Sequence, residues 1–297
     1  MIKLEDIKAM LLSQGYIAEE TVAMSVFLSL QLNKPLLVEV PAGVGKTEIA
    51  KVMAGALQTD LIRLQCYEGL DVNHALYEWN YQRQLLHIKM NEQSSESTEQ
   101  KEKTIFGDSF LMKRPLLKAI THHKKPVLLI DEIDRSDEEF ESFLLEVLSD
   151  WQITIPETGT IKATHIPQVI LTGNRTRELS EALRRRCLYL YIDYPDFQKE
   201  WSILKNKVPG IDANLAEQIT RFLQELRTMK LEKTPGISET LDWAMALTSL
   251  HIHHLDKDVI EKTLGVIIKD WRETREVQLT LSALLEKTGI ISKLDRA

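Results

Sequence analysis

Cysteine is nearly missing from this sequence. Its 297 residues include two, Cys66 and Cys187. They are far apart and lack a CxxC partner, which argues against a disulfide framework and against a thiolate zinc site. Any apolar run near the roughly 20 residues that a membrane-crossing helix needs is also missing. The first stretch, MIKLEDIKAMLLSQGY, carries acids and no small-residue cleavage site, so it does not read as a signal peptide. A cytoplasmic location is the expectation. Positive charge is in deficit, with 37 Lys+Arg against 44 Asp+Glu and a net charge of −7. That balance argues against a broad basic face for nucleic acid. The histidine groups His122-His123 and His251, His253, His254 have no thiolates or other ligands beside them, so a structural metal is not expected. What is plentiful is ordinary globular material, 43% hydrophobic and 27% charged. The length suffices for one large domain or two ordinary ones.

Five short β-branched or leucine-rich runs recur, at residues 36–40, 61–65, 127–130, 168–172 and 188–192. Most are nearly continuous apolar runs, the pattern of strands buried on both faces of a parallel sheet. Helical spacing follows the first run at 46–57 and the third at 137–151. Strands alternating with helices predict an α/β sandwich with a mostly parallel sheet. After Tyr194-Pro195 the texture changes. Residues 196–207, 214–230, 238–251, 258–269 and 271–287 all repeat apolar positions near 3.6, without strand-like alternation. Asp196 and Ser238 stand where N-caps are expected, and Gly289 where the last helix stops. The division expected is therefore an α/β domain over 1–194 and an all-helical domain over 195–297. The polar stretch 91–103 reads as a mobile surface loop. Trp79, Tyr81 and Leu85, within 75–90, are either core residues or an exposed partner-binding element.

The chemistry is concentrated in a few segments. Pro41-Ala42-Gly43-Val44-Gly45-Lys46-Thr47-Glu48 follows a strand and opens a helix. A triphosphate needs a concave row of backbone N–H groups, and glycines let the chain curl around it. Lys46 would reach the β- and γ-phosphates, and the Thr47 hydroxyl would ligate Mg²⁺. Val40 stands where the first glycine of GxxxxGK[ST] is usual, which an extended residue before proline tolerates. The strand PVLLIDE then ends in Asp131 and Glu132. Asp131 would hold Mg²⁺, and Glu132 would orient and deprotonate an attacking water. A further strand, VILTGN, ends in Asn174, which either bonds the γ-phosphate or its water, or merely caps a turn. Arg184, Arg185 and Arg186 close a short helix. One of them could reach a γ-phosphate held by a neighbouring subunit, with the others serving as surface or helix-end charges. The acids between Asp131 and Asp150 read mostly as a solvated helix face.

In order, VPAGVGKTE, VLLIDEIDR, LTGNRTRELSEALRRRC and a helical C-terminal domain resemble an AAA+ ATPase, more narrowly the MoxR-type branch. YEGLDVNHALYEWNYQRQ, DEIDRSDEEFESFLLEVL and GISETLDWA resemble the subgroup linked to carbon-monoxide-dehydrogenase maturation. The resemblance spans nearly the whole chain. It implies a P-loop NTPase fold with a five-stranded parallel sheet and a helical lid, and ATP and Mg²⁺ as ligands. It also implies a homo-oligomeric ring, usually a hexamer, with ATP at subunit interfaces. Asn174 then matches sensor 1, and Arg186 the arginine finger, with Arg185 the second choice. The family's insertion falls around 71–103. Members commonly work beside a von Willebrand A-domain protein in chaperone-like maturation of metalloenzymes or other complexes. Ser238-Glu239-Thr240 stands where many relatives place a sensor-2 arginine, which would leave turnover slow or partner-dependent.

Other function classes have less behind them. A P-loop kinase of a small molecule lacks an acceptor-site signature, and the paired acids favour water activation. A nucleic-acid-stimulated motor conflicts with the net charge. A nucleotide-gated scaffold without catalysis conflicts with intact Lys46, Asp131 and Glu132. Gly15-Tyr16-Ile17 is a candidate base-contacting segment.

Overall fold

The computed structural model describes residues 3–41, 43–91 and 97–290. Ala42 of the expected phosphate loop lies outside them, as does part of the polar stretch 91–103. The chain divides into two compact units. The first contains the residues up to Gln14, Glu19–Glu39 and Thr47–Leu190; the second contains Gly15–Ala18, Val40–Lys46 and the residues from Tyr191 onward.

The first unit is built on a five-stranded sheet: β1 (Leu36–Glu39), β2 (Leu61–Gln65), β3 (Val127–Asp131), β4 (Gln168–Gly173) and β5 (Leu188–Tyr191), in the order β2-β3-β4-β1-β5. β1 with β4, β3 with β4 and β2 with β3 pair parallel. Every residue of β3 and of β4 is buried. That is why these strands read as unbroken apolar runs: a central strand of a parallel sheet is covered on both faces. The edge strand β2 instead alternates, with Ile62 and Leu64 buried while Arg63 is exposed. β4 lies between β1 and β3, and the registers bring their carboxyl ends level, with Glu39 opposite Gly173 and Ile130 opposite Leu171. In open α/β sheets that end is where ligands bind.

The helices α1 (Leu4–Ser13), α2 (Glu20–Leu32), α3 (Glu48–Ala56), α4 (Pro115–Ile120), α5 (Glu138–Asp150) and α6 (Glu181–Arg186) accompany the sheet. Asp137 caps α5 by accepting the Phe140 N–H at 2.8 Å, and Phe140, Leu144, Val147 and Leu148 form its buried stripe. Between α3 and α4 the structure departs from the sequence reading. Tyr77–Trp79 pairs antiparallel with Leu111–Lys113, so the inserted segment closes on itself beyond residue 103. Within it, Thr98–Ile105 is helical, not a loop as expected. Its Ser97 side chain accepts the Gln100 N–H while the Gln100 side chain accepts the Ser97 N–H, and this capping box nucleates a helix in a segment with no buried residue. Trp79 belongs to the core, whereas Tyr81 and Leu85 are 65% and 60% exposed. A second hairpin, Gln152–Ile155 with Gly159–Lys162, was not expected from the apolar pattern.

The second unit holds α7 (Phe197–Lys207), α8 (Ala213–Leu226), α9 (Ile237–Ser249), α10 (Lys257–Thr263) and α11 (Trp271–Thr288). Asp196 caps α7, and Gly289, at φ 68°, ends α11. Ser238 is not an N-cap: α9 starts earlier, at Ile237, because the extended Gly236 precedes it and the Glu239 side chain returns to the Gly236 N–H at 2.9 Å. The spacing over 258–269 is a short helix followed by a 3₁₀ turn, Leu264–Val266. Phe222, Trp243, Leu247, Val277, Leu281 and Leu285 centre its core. Beside that core Arg227 donates to both oxygens of Glu200, each at 2.6 Å, and Thr240 adds a bond to the same carboxylate at 2.8 Å. No helix among the described residues is long and apolar enough to cross a membrane.

Candidate active site

The candidate side chains fall into two sets, one in each unit. In the first, Asp131 closes β3 with 1% of its surface exposed. Register and strand alternation explain its partners. Gln65 of β2 lies opposite Asp131, so Arg63, two residues earlier, points to the same face. Arg63 Nε donates to Asp131 Oδ2 at 3.1 Å. On the other side, Thr172 of β4 donates its hydroxyl to Asp131 Oδ1 and accepts the Glu132 N–H at 3.1 Å. A buried carboxylate is stable only when its oxygens are answered in this way.

Glu132 leaves the strand in the left-handed region, φ 57° and ψ 47°. That turn re-aims its side chain away from the alternation of β3. Its Oε2 accepts from Gln65 Nε2 at 3.0 Å and from Arg135 Nη1 at 3.2 Å. Strain of this kind at an acidic residue is a feature of functional sites. Asn174 follows β4, and its backbone N–H donates to Asp134 Oδ2 at 3.0 Å. Glu132, Asp134, Asn174 and Thr176 line one open cleft of ≈ 680 Å³ together with Glu68 and Arg177.

Sequence reasoning missed four members of this set: Arg63, Gln65, Thr172 and Asp134. Arg63 and Gln65 carry a faint signal, polar residues alternating with apolar ones in a strand. Thr172 is hidden at the end of an apolar run. Most acids after Asp131 are exposed as expected, among them Asp137, Glu138, Glu139 and Glu146, but Asp134 and Glu141 are exceptions. They are 4% and 1% exposed. Glu141 binds the Arg177 guanidinium and accepts the Ser180 N–H at 2.9 Å. The carboxylates also act on Cys66, whose thiol is pushed up to about 12, first by burial and then by the negative charges of Asp131, Asp134 and Glu132.

In the second unit, the expected phosphate loop runs through Pro41, Gly43, Val44, Gly45 and Lys46. Gly43 and Gly45 have φ +79° and +91°, a conformation that favours glycine. The Val44 N–H donates to the Pro41 carbonyl at 3.4 Å. Lys46 is half-buried. The start of α9 packs directly on this loop: the Ser238 N–H and hydroxyl donate to the Gly43 carbonyl at 3.2 Å and 3.3 Å. Thr47 and Glu48 open α3, and the Thr47 side chain makes no capping bond to that helix. The chemistry of these groups suits a Mg²⁺-nucleotide: hard carboxylate and hydroxyl oxygens for the ion, and a glycine loop with an ammonium for phosphates.

Arg184, Arg185 and Arg186, at the end of α6, are all exposed. Arg185 pairs with Glu181 one turn back, while Arg186 donates to the Leu145 carbonyl at 3.4 Å. Among the described residues no group of three His, Cys, Asp or Glu side chains could hold a metal ion. His122 instead contacts Asp60 at 3.0 Å.

The chain is similar to several known proteins. An uncharacterized protein of Staphylococcus haemolyticus is 28% identical over 281 residues, covering 91% of this chain and 97% of that protein. One of Staphylococcus epidermidis is 28% identical over 274 residues, covering 90% and 95%. Among solved structures, a mutant of Thermotoga maritima RuvB is similar at 20% identity and a TM-score of 0.49, over 98% of this chain and 84% of that one. The Thermotoga maritima RuvB Holliday junction branch migration motor is similar at 20% identity and 0.47, over 98% and 83%. Residues 36–193, more than half of the chain, match the family described as "ATPase family associated with various cellular activities (AAA)". The chain belongs to that AAA ATPase family.

Proposed function

We propose that the protein is a MoxR-type AAA+ ATPase that hydrolyses ATP as a homo-oligomeric ring, usually hexameric in that branch, and remodels a protein partner. The observation that carries the hydrolytic part is the Asp131–Thr172–Glu132 network beside Asn174. It puts one buried and one half-buried carboxylate and an amide at the carboxyl ends of two adjacent strands. Pro41 to Lys46, with Ala42 among them, and Glu48 cradle the nucleotide, and Lys46 neutralises its β- and γ-phosphates. Thr47 and Asp131 hold Mg²⁺, which supplies charge neutralisation to the phosphates when bound. Glu132 accepts a proton from the attacking water. Asn174 holds the γ-phosphate or that water, and Arg186 of one subunit, or failing that Arg185, serves its neighbour's site.

The remodelling part rests on other observations. The helix Tyr81–Met90 of the inserted segment exposes Tyr81, Leu85, Leu86, Ile88 and Met90, an apolar surface of the kind that marks protein interaction. The likeness in DEIDRSDEEFESFLLEVL and GISETLDWA favours a von Willebrand A-domain partner and a metalloenzyme client. The stretch at Ser238–Thr240 lacks the expected lid arginine. Arg227, which bonds Thr240, is committed to Glu200. Partner-dependent turnover follows from that missing cation. The chain's helical part acts as a lid whose movement is driven by nucleotide, within domains proposed at 1–194 and 195–297. Gly15–Ala18 clusters with the loop and the helices in the second unit, which favours Gly15-Tyr16-Ile17 as the base-contacting segment.

The test is sedimentation of the purified chain with and without ATP and Mg²⁺, alongside phosphate release in the absence of any acceptor. A nucleotide-dependent ring that releases phosphate supports the reading. A monomer that releases no phosphate and forms ADP only when a small-molecule acceptor is added, the γ-phosphoryl group ending on that acceptor, contradicts it in favour of a kinase.

A further inference from the structure

Asp134 sits two residues beyond Glu132, on the 3₁₀ turn Ile133–Arg135. That turn is rigidly held. The Arg135 N–H donates to the Glu132 carbonyl at 2.9 Å, the Ser136 N–H to the Ile133 carbonyl at 3.1 Å, and the Ser136 hydroxyl to the same carbonyl at 2.7 Å. Ile133, fully buried, anchors it in the core. From this turn the Asp134 carboxylate reaches the segment after β4. Its Oδ2 accepts the Asn174 N–H at 3.0 Å, the Thr176 N–H at 2.8 Å and the Thr176 hydroxyl at 2.6 Å. Among the described residues, all the hydrogen bonds accepted by this carboxylate come from Asn174 and Thr176. Between these two, Arg175 is in the left-handed region at φ 61° and pairs with Glu39, the last residue of β1, at 3.5 Å.

Burying an acid is costly and would be needless if position 134 served packing alone, since an apolar side chain fills such a place without desolvating a charge. What a carboxylate adds is directional: one oxygen grips two successive non-adjacent amides and so fixes the peptide that carries the Asn174 side chain. Charge-assisted bonds of this kind are the strong ones. The other oxygen, Oδ1, is buried without a hydrogen-bond partner among the described residues and faces Gly173, where an added Cβ would lie 3.4 Å away. The carboxylate is thus not shared with a second structural task.

We propose that Asp134 is a positioning residue for ATP hydrolysis, setting the spacing between Glu132 on its own turn and Asn174 on the loop it grips. The inference rests on the reading of Glu132 and Asn174 as the groups that act on the attacking water and the γ-phosphate. A hydrolytic site tolerates little error in such spacing, because misplacement by about 1 Å costs on the order of a hundredfold in rate.

The experiment compares Asp134→Ala and Thr176→Val, each alone and in an Asn174→Ala background. Single-turnover ATP hydrolysis and the affinity for a fluorescent ATP analogue are both measured. Asp134→Ala is expected to slow hydrolysis by about ten- to a hundredfold while nucleotide affinity changes by less than about twofold. Thr176→Val, which removes one of three donors, slows it by roughly threefold, and Thr176→Ser restores the rate. Neither substitution slows Asn174→Ala any further, since each acts through that residue. If Asp134→Ala fails to fold, Thr176→Val and its serine rescue carry the test. Unchanged hydrolysis in both variants, or losses that multiply onto Asn174→Ala, overturns the proposal while leaving the hydrolytic reading intact. Full activity in Asn174→Ala overturns both the proposal and the role given to Asn174.

Discussion

Gly236 lies against Gly43 so closely that a Cβ built on Gly236 would fall 2.4 Å from the Gly43 carbonyl carbon and oxygen. The backbone there is extended, φ −91°, so the glycine is required by the close approach of two backbone segments and not by its own conformation. Gly236→Ala therefore pushes on the phosphate loop itself. Overpacking of this kind costs about 1–3 kcal/mol, and the loop absorbs part of the shift. Nucleotide affinity is expected to fall by roughly five- to tenfold, read by titration with a fluorescent ATP analogue, with little change in melting temperature.

Thr172 joins the Asp131 carboxylate to the Glu132 backbone: its hydroxyl donates to Asp131 Oδ1 and accepts the Glu132 N–H. Thr172→Val keeps the volume and removes both bonds. Leaving buried groups unanswered costs about 1–3 kcal/mol, which should appear in part as lower melting temperature. Turnover should drop by about tenfold or more, and the Mg²⁺ concentration for half-maximal activity should rise. A variant with normal Mg²⁺ dependence would contradict the proposed role of Asp131 in holding Mg²⁺ with the support of Thr172.

The Arg227–Glu200 pair is structural. Its side chains are 7% and 0% exposed, and the remaining capacity of the carboxylate is met by Gln224 and Thr240. Removing the cation with Arg227→Ala leaves a buried charge unpaired, a loss of about 3–5 kcal/mol. Chemical denaturation should show it as a large fall in the midpoint. Loss of ATP binding at temperatures where the variant remains folded is not expected.

The two thiols should be inert. Burial raises Cys66 and Cys187 each to about 12, because burial disfavours the charged thiolate. At pH 8 both stay protonated, so a thiol-reactive reagent should label neither in the native protein and both after unfolding. Rapid native labelling of Cys66 would mean that the carboxylate cluster around it is open.

How much of this was legible in the sequence depended on what each residue's neighbours were. β3 and β4 were readable because burial on both faces leaves an unbroken apolar run, and the turn at Gly43 and Gly45 because positive φ favours glycine. Asp196 and Gly289 were readable because caps act locally. Arg63 and Thr172 were not, since their roles come from lying across the sheet from Asp131, and register is a property of several strands at once. Asp134 was not singled out among the acids after Asp131 because it stands on a 3₁₀ turn before the cap of α5, Asp137, where helical spacing says nothing of burial. The helix Thr98–Ile105 was missed in a polar stretch although Ser97 and Gln100 spell its capping box. Ser238 was misread because its neighbour Gly236 serves a close approach that no local pattern reveals.

The proposed hydrolytic centre of Asp131 and Glu132 is open to one decisive comparison, ATP hydrolysis and ATP retention in the purified chain and in Glu132→Gln. The substitution keeps the side-chain volume and removes the base, so the variant should bind ATP as well as the wild type. It should release phosphate at least about a hundredfold more slowly and accumulate in the ATP-bound, ring-forming state. Phosphate release by Glu132→Gln at the wild-type rate would contradict the account.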